Sequence, residues 1–246
     1  MNIFSAFTFG SLIKTFIPGF VWLVAFGLVE AEISRALSGP PDIWQFASAH
    51  EQAALVLAIP AAILLGLLSN IAVFMGLNDW LVRKPVRKKY GELFALYDSL
   101  IALFRSKCWN ALNLTNDRLR VSFEAYTDVE IMILKVIDLD ELIYVREQYW
   151  YHLEFQVNLF ISSIALFIAL FLLSVVNIPD SSMLRNPDCS ARNISDCLSI
   201  LIWAFVFTSA ALLSYVSLIP AARKNFERHI SKISSLIATA IAAKLA

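Results

Sequence analysis

Apolar and polar positions fall along this chain in long blocks rather than in short alternation. Four stretches are almost wholly apolar: 16–29, 53–77, 155–177 and 198–220. No charge falls between Ala53 and Asn78, between Gln156 and Pro179, or between Leu198 and Ala222. A helix needs about 20 largely apolar residues to cross the hydrocarbon, so the last three stretches predict membrane spans. The first is shorter and holds Pro18-Gly19. It reaches the needed length if it starts near Leu12 and Lys14 snorkels to the interface.

Between the second and third stretches the pattern changes to helical amphipathicity. Residues 92–112 place Leu93, Phe94, Leu96, Leu100, Ile101, Leu103 and Phe104 at helical spacing. Thr127-Asp128-Val129-Glu130 has the form of a capping box ahead of Ile131, Ile133, Leu134, Val136 and Ile137. No Gly or Pro occurs from Leu139 until Pro179, which predicts one helix leading into span three. The tail beyond Pro220 also lacks both and reads as helical. The expected fold is therefore all-α, a four-helix transmembrane bundle with a helical cytoplasmic domain between spans two and three. Spans one and two occupy 1–78, the cytoplasmic domain 79–154, spans three and four 155–220, and a cytoplasmic C-terminal helix 221–246.

Composition agrees: 59% of residues are apolar, and the mean hydropathy of +0.67 is too high for one soluble domain. The start of the chain lacks the basic flank and small-residue cleavage site of a signal peptide. Twenty basic residues balance twenty acidic ones, so orientation comes from their layout. Arg35 alone separates stretches one and two, and Arg185 and Arg192 alone separate three and four. Eleven Lys and Arg lie in 79–154, and Arg223, Lys224, Arg228, Lys232 and Lys244 follow span four. Positive charge stays inside, so both termini and the middle segment are expected in the cytoplasm. Cys189 and Cys197 then share an external loop, where a disulfide or two free thiols are both open.

Candidate chemistry is sparse. The span centres carry no ionisable group, unlike most proton- or ion-coupled carriers. His50, His152 and His229 make no metal-ligand spacing, and no nucleophile elbow, phosphate-binding Gly-rich loop or HExxH motif is present. Neither an enzyme nor a cofactor is expected.

Three features remain. Arg83, Lys84, Arg87, Lys88 and Lys89 form a basic collar after span two, suited to anionic lipid at about 1 kcal/mol per cation. The collar reads as a positive-inside anchor, because the aromatic or bidentate signals of a specific lipid or nucleic-acid site are absent. Asn70, Asn158, Ser162 and Thr208 give the spans uncharged polar faces, which either hold helices together or line a polar path in an oligomer. Arg146, Glu147 and Trp150, with Arg223 and Arg228 on the tail, suit docking within the subunit or a partner surface.

Phe16-Ile17-Pro18-Gly19-Phe20, Glu147-Gln148-Tyr149-Trp150 before Asn158-Leu159, and Ala221-Ala222-Arg223-Lys224-Asn225-Phe226 resemble junctions of uncharacterised bacterial four-span proteins. Some of those are similar to membrane effectors of anti-phage defence systems. The likeness covers junction motifs only and transfers no functional residue. It implies a bacterial inner membrane and an oligomeric, non-enzymatic effector or signalling subunit. Cytoplasmic helices would receive a partner or ligand, and the spans would perturb permeability. The competing expectation is a passive anchor recruiting a soluble protein, with a small transporter or channel subunit third. Membrane lipids, further copies of the chain and a cytoplasmic protein are the expected partners; nucleic acid is not a direct one.

Overall fold

The computed structural model describes residues 9–36, 47–113, 116–126, 139–176 and 191–244. Among the described residues every regular element is helical. These are α1 (Phe9–Ala36), α2 (Glu51–Ala72), α3 (Lys84–Lys89), α4 (Gly91–Ala111), α5 (Asp117–Tyr126), α6 (Leu139–Val145), α7 (Tyr151–Val176) and α8 (Ala191–Lys244). π-helical turns occupy Val73–Leu77, Asp79–Arg83 and Arg146–Trp150. The capping box at Thr127-Asp128-Val129-Glu130, together with Cys189 and the side chain of Cys197, lies outside the described residues.

Four helices are long and apolar enough to cross a membrane, within Lys14–Ser34, Glu51–Ala72, Asp140–Ser174 and Leu198–Ala242. This is the make-up of an integral membrane protein. The chain divides into two compact units: Met1–Asn78 with Glu154–Ala221, and Asp79–Leu153 with Ala222–Ala246. We call them the apolar unit and the charged unit.

In the apolar unit, α1 and α2 meet backbone to backbone. A Cβ on Gly19 would fall 1.7 Å from the Ala62 carbonyl oxygen, and one on Gly66 would fall 1.8 Å from that of Thr15. Ala62 is fully buried at this crossing. Small residues permit such an approach where lipid supplies no hydrophobic drive between helices. The opposite faces are apolar and exposed, as Leu55, Val56, Ile59, Leu64 and Leu68 on α2 show. Lys14 does not stand alone on α1: it pairs with Glu154 at the start of α7, and both side chains are largely buried. A paired ammonium carries far less desolvation cost than a lone one, so the pairing replaces the expected snorkelling.

The charged unit is built round Phe104 of α4, Leu142 and Val145 of α6, and Ile233, Ile237 and Ala240 of α8. On α4 the inward stripe runs Phe94, Tyr97, Ile101, Phe104 and Cys108, the spacing of one helix face. Leu96 and Leu103, expected on that face, are exposed instead. The apolar pattern allowed a wider stripe than the core uses. Helix α4 ends at Ala111, and two residues on Asn113 takes a left-handed backbone (φ 53°), a conformation Asn tolerates better than most residues.

Candidate functional site

The polar groups of the apolar unit bond to one another. Trp22 Nε1 donates to Ser69 Oγ at 3.1 Å, and Ser69 Oγ donates to Asn158 Oδ1 at 3.1 Å. Asn158 Nδ2 in turn donates to Asn70 Oδ1 at 2.7 Å. One chain of hydrogen bonds thus ties α1, α2 and α7, with Asn158 fully buried at its centre. Ser162, also fully buried, bonds back to the Leu159 carbonyl of its own helix. Thr208 is elsewhere: it is exposed on α8 beside an apolar cavity of about 350 Å³ walled by Phe167, Phe171 and Phe207. The structure therefore brings Asn70 and Asn158 together, and it separates Thr208 from them.

In the charged unit the basic collar divides. Arg83, Lys84 and Arg87 line a cleft of about 490 Å³, at positions i, i+1 and i+4 of a helical backbone. Lys88 and Lys89 do not line it; Lys89 lies over the Tyr90 ring, 5.0 Å from its centroid. Trp150, Phe94 and Phe226 supply the cleft's aromatic walls. The Arg83 guanidinium sits 5.6 Å over Trp150, and that of Arg87 sits 5.7 Å over Phe94. Both arginines also reach carboxylates, Arg83 to Asp79 at 3.3 Å and Arg87 to Asp98 at 2.8 Å. These pairs are about half exposed, so water screens them strongly.

The expected partner residues fall on both sides of this arrangement. Trp150 packs on Phe226 and on His229, with ring centroids 6.5 and 5.2 Å apart. Arg223 Nε donates to the Leu81 carbonyl at 2.8 Å. In an α-helix that carbonyl would receive the N–H four residues on, but residue 85 is proline and has none. Arg223 Nε is the side-chain donor at that carbonyl. Trp150 and Arg223 thus work within the chain, whereas Arg146 and Arg228 are exposed and Glu147 is half-buried.

Sequence reasoning missed His229. It is 7% exposed, lines the cleft, and leaves Nδ1 without a hydrogen-bond partner. Its other nitrogen is hydrogen-bonded to the Val145 backbone. The charge-free part of α8 ends at Ala222, so His229 lies beyond the spanning segment, among Arg223, Lys224, Glu227 and Arg228. Burial lowers its pKa to about 4, against the bond to Val145, with Arg146 adding to the lowering. The ring is therefore neutral at physiological pH. Arg83 Nε is a second buried nitrogen in the cleft with no partner. The only early signal was a lone His in a helix otherwise marked by charge.

The chain matches no known protein family, no curated protein and no solved structure.

Proposed function

We propose that this chain is a non-enzymatic membrane signalling subunit whose charged unit, on the cytoplasmic side, receives a ligand in the Arg83–Trp150–His229 cleft. The observation that carries the reading is the pair of buried, unpartnered nitrogens, Arg83 Nε and His229 Nδ1, on two residues that line one cleft. Buried polar groups are normally satisfied, and a cleft holding two that are not is suited to a ligand that completes them. Helix α8 carries Thr208 of the apolar unit and His229 of the charged unit. Occupancy of the cleft thereby has a covalent route to the spans, and the output is a change in membrane permeability. Oligomerisation through the exposed apolar faces, and a role in defence against phage, belong to the same proposal.

The passive-anchor reading has one observation in its favour. Trp22, Ser69, Asn70 and Asn158 satisfy one another inside a single subunit, which is what packing alone requires.

A ligand-independent experiment separates the two. The full chain, with its native cysteines replaced by Ser, carries Lys84→Cys or, as control, Lys88→Cys. It is reconstituted in dye-loaded vesicles and treated with a bulky methanethiosulfonate reagent. Both positions are exposed, but only Lys84 lines the cleft. Signalling predicts that modification at Lys84 alone changes dye release by about fivefold or more, the lower end of usual coupling between sites. No change at either position, or the same change at both, establishes the anchor.

A further inference from the structure

The cleft's unfilled bonds specify the chemistry of what would fill it. Resting on the reading of the cleft as a ligand site, we propose that its ligand is a phosphate ester that also carries a hydroxyl group, as a glycerol phosphate does.

The anionic half follows from the cations. Arg83, Lys84 and Arg87 face two carboxylates, Asp79 and Asp98, so the wall keeps one positive charge in excess. Lys84 is paired with no described carboxylate, and the two arginine pairs are exposed enough to yield to a stronger anion. A tetrahedral phosphate can meet several donors at once, and arginine forks match its edges. The Nε–H of Arg83 is already held without an acceptor, and its guanidinium lies over the Trp150 ring, 5.6 Å from the centroid.

The hydroxyl follows from His229. One ring nitrogen donates its hydrogen to the Val145 backbone, so in the neutral ring Nδ1 presents a lone pair. A lone pair repels a bare phosphate oxygen and accepts from an O–H. The ligand must therefore place a donor at His229 while its phosphate meets the arginines. The size agrees: about 490 Å³ is far more than inorganic phosphate needs, and it lies in the range of small-molecule sites. Trp150 and Phe226 offer apolar walls to the carbon skeleton between the two polar ends.

This chemistry has two sources, a lipid headgroup and a soluble ester. Arg83 follows the charge-free stretch of span two closely, which puts headgroups within reach in sequence. The full chain in phosphatidylcholine nanodiscs is titrated by calorimetry with sn-glycerol 3-phosphate and with methyl phosphate. A parallel arm compares phosphatidylglycerol with phosphatidylmethanol by native mass spectrometry. Within each arm the two probes share the phosphate and differ in the two hydroxyl-bearing carbons, and His229→Phe separates the hydroxyl contribution from that of the carbon skeleton.

In at least one arm the hydroxyl-bearing probe should bind about tenfold or more tightly than its methyl counterpart, because the latter leaves a buried acceptor unpaired. The arm that responds identifies the source. His229→Phe should erase the preference between the two probes, and Lys84→Gln, an exposed change, should weaken both of them. Absence of binding in both arms overturns the proposal, as does binding without a hydroxyl preference. Neither result touches the Lys84 modification experiment, so the ligand can be wrong while the signalling reading stands.

Discussion

A Cβ placed on Gly19 would stand 1.7 Å from the carbonyl oxygen of Ala62. No rotamer relieves that clash, because both partners are backbone. Gly19→Ala should therefore drive α1 and α2 apart, and Gly66→Ala should do the same against Thr15. Overpacking of this kind costs about 1–3 kcal/mol or more. Thermal unfolding in detergent should show both variants melting well below wild type, while Gly76→Ala, with open space around it, melts with wild type. Equal behaviour of all three variants would refute the close crossing.

Asn158 makes two side-chain hydrogen bonds that hold α7 to α2. Replacing it with Leu strands Ser69 and Asn70, and the expected loss is about 0.6–2 kcal/mol, the range for hydrogen bonds between helices in lipid. The geometry favours loss of fold stability over a selective loss of conduction. A double-mutant cycle with Ser69→Ala, read as unfolding in mixed micelles, should show coupling. Full stability in Asn158→Leu with abolished dye uptake would mean that Asn158 wets a pore.

The spans and the helical class were legible because hydrocarbon demands an unbroken run of apolar residues, and 53–77 and 155–177 leave no other reading. The stripe of α4 was legible only in part. Tyr97 and Cys108 pack against the core although neither counts as strongly apolar, whereas Leu96 and Leu103 do not pack there. Tyr90 and Phe94 follow the basic collar directly and were not read as part of it, whereas two of the cleft's aromatic walls, Trp150 and Phe226, come from remote parts of the chain. Sequence spacing cannot join such segments. The π-helical turn at Asp79–Arg83, which helps to present Arg83, has no recognised residue signature either.

Orientation is open to a direct check. The layout of Lys and Arg predicts that α4 faces the cytoplasm. Asn113 is a poor labelling site because of its left-handed backbone, but Asn110 is exposed and helical. Asn110→Cys, in a chain otherwise free of cysteine, should react with a membrane-impermeant maleimide only after lysis. Labelling in intact cells would invert the topology.

His229 carries a pH signature. Its pKa is about 4 in the fold and about 6.5 when unfolded, so between those values the unfolded state binds more protons. Stability of the charged unit should therefore fall as pH drops from 7 to 4 and level off below. The shift corresponds to about 3 kcal/mol at most. In ¹³C-histidine-labelled protein, His229 should show no titration between pH 5 and 8. Burial sets this behaviour first, and Arg146 adds to the lowering; Arg83, Lys84, Arg87, Asp79 and Asp98 line the same cleft as His229. A midpoint above 6 would show that the ring is solvated.

Arg223 and Pro85 meet at the Leu81 carbonyl. Pro85 removes the N–H that an α-helix would direct at the Leu81 carbonyl, and Arg223 Nε occupies that acceptor at 2.8 Å. Arg223→Ala should thus leave a carbonyl in need of a donor, beside Leu81 and Val82, which are buried. The expected cost is about 1–3 kcal/mol, measured by hydrogen exchange across residues 79–89. Pro85→Ala offers that carbonyl an α-helical backbone donor, so in that background Arg223→Ala should cost less. Such a cycle removes the interaction from either side, and neighbours of this kind typically couple by about 0.5–3 kcal/mol. Strict additivity would mean that Arg223 acts through its charge alone, and Arg223→Lys would then rescue the single variant fully. With Arg223 as the surrogate donor, Lys should rescue only in part, because its ammonium lacks the fixed geometry of Nε.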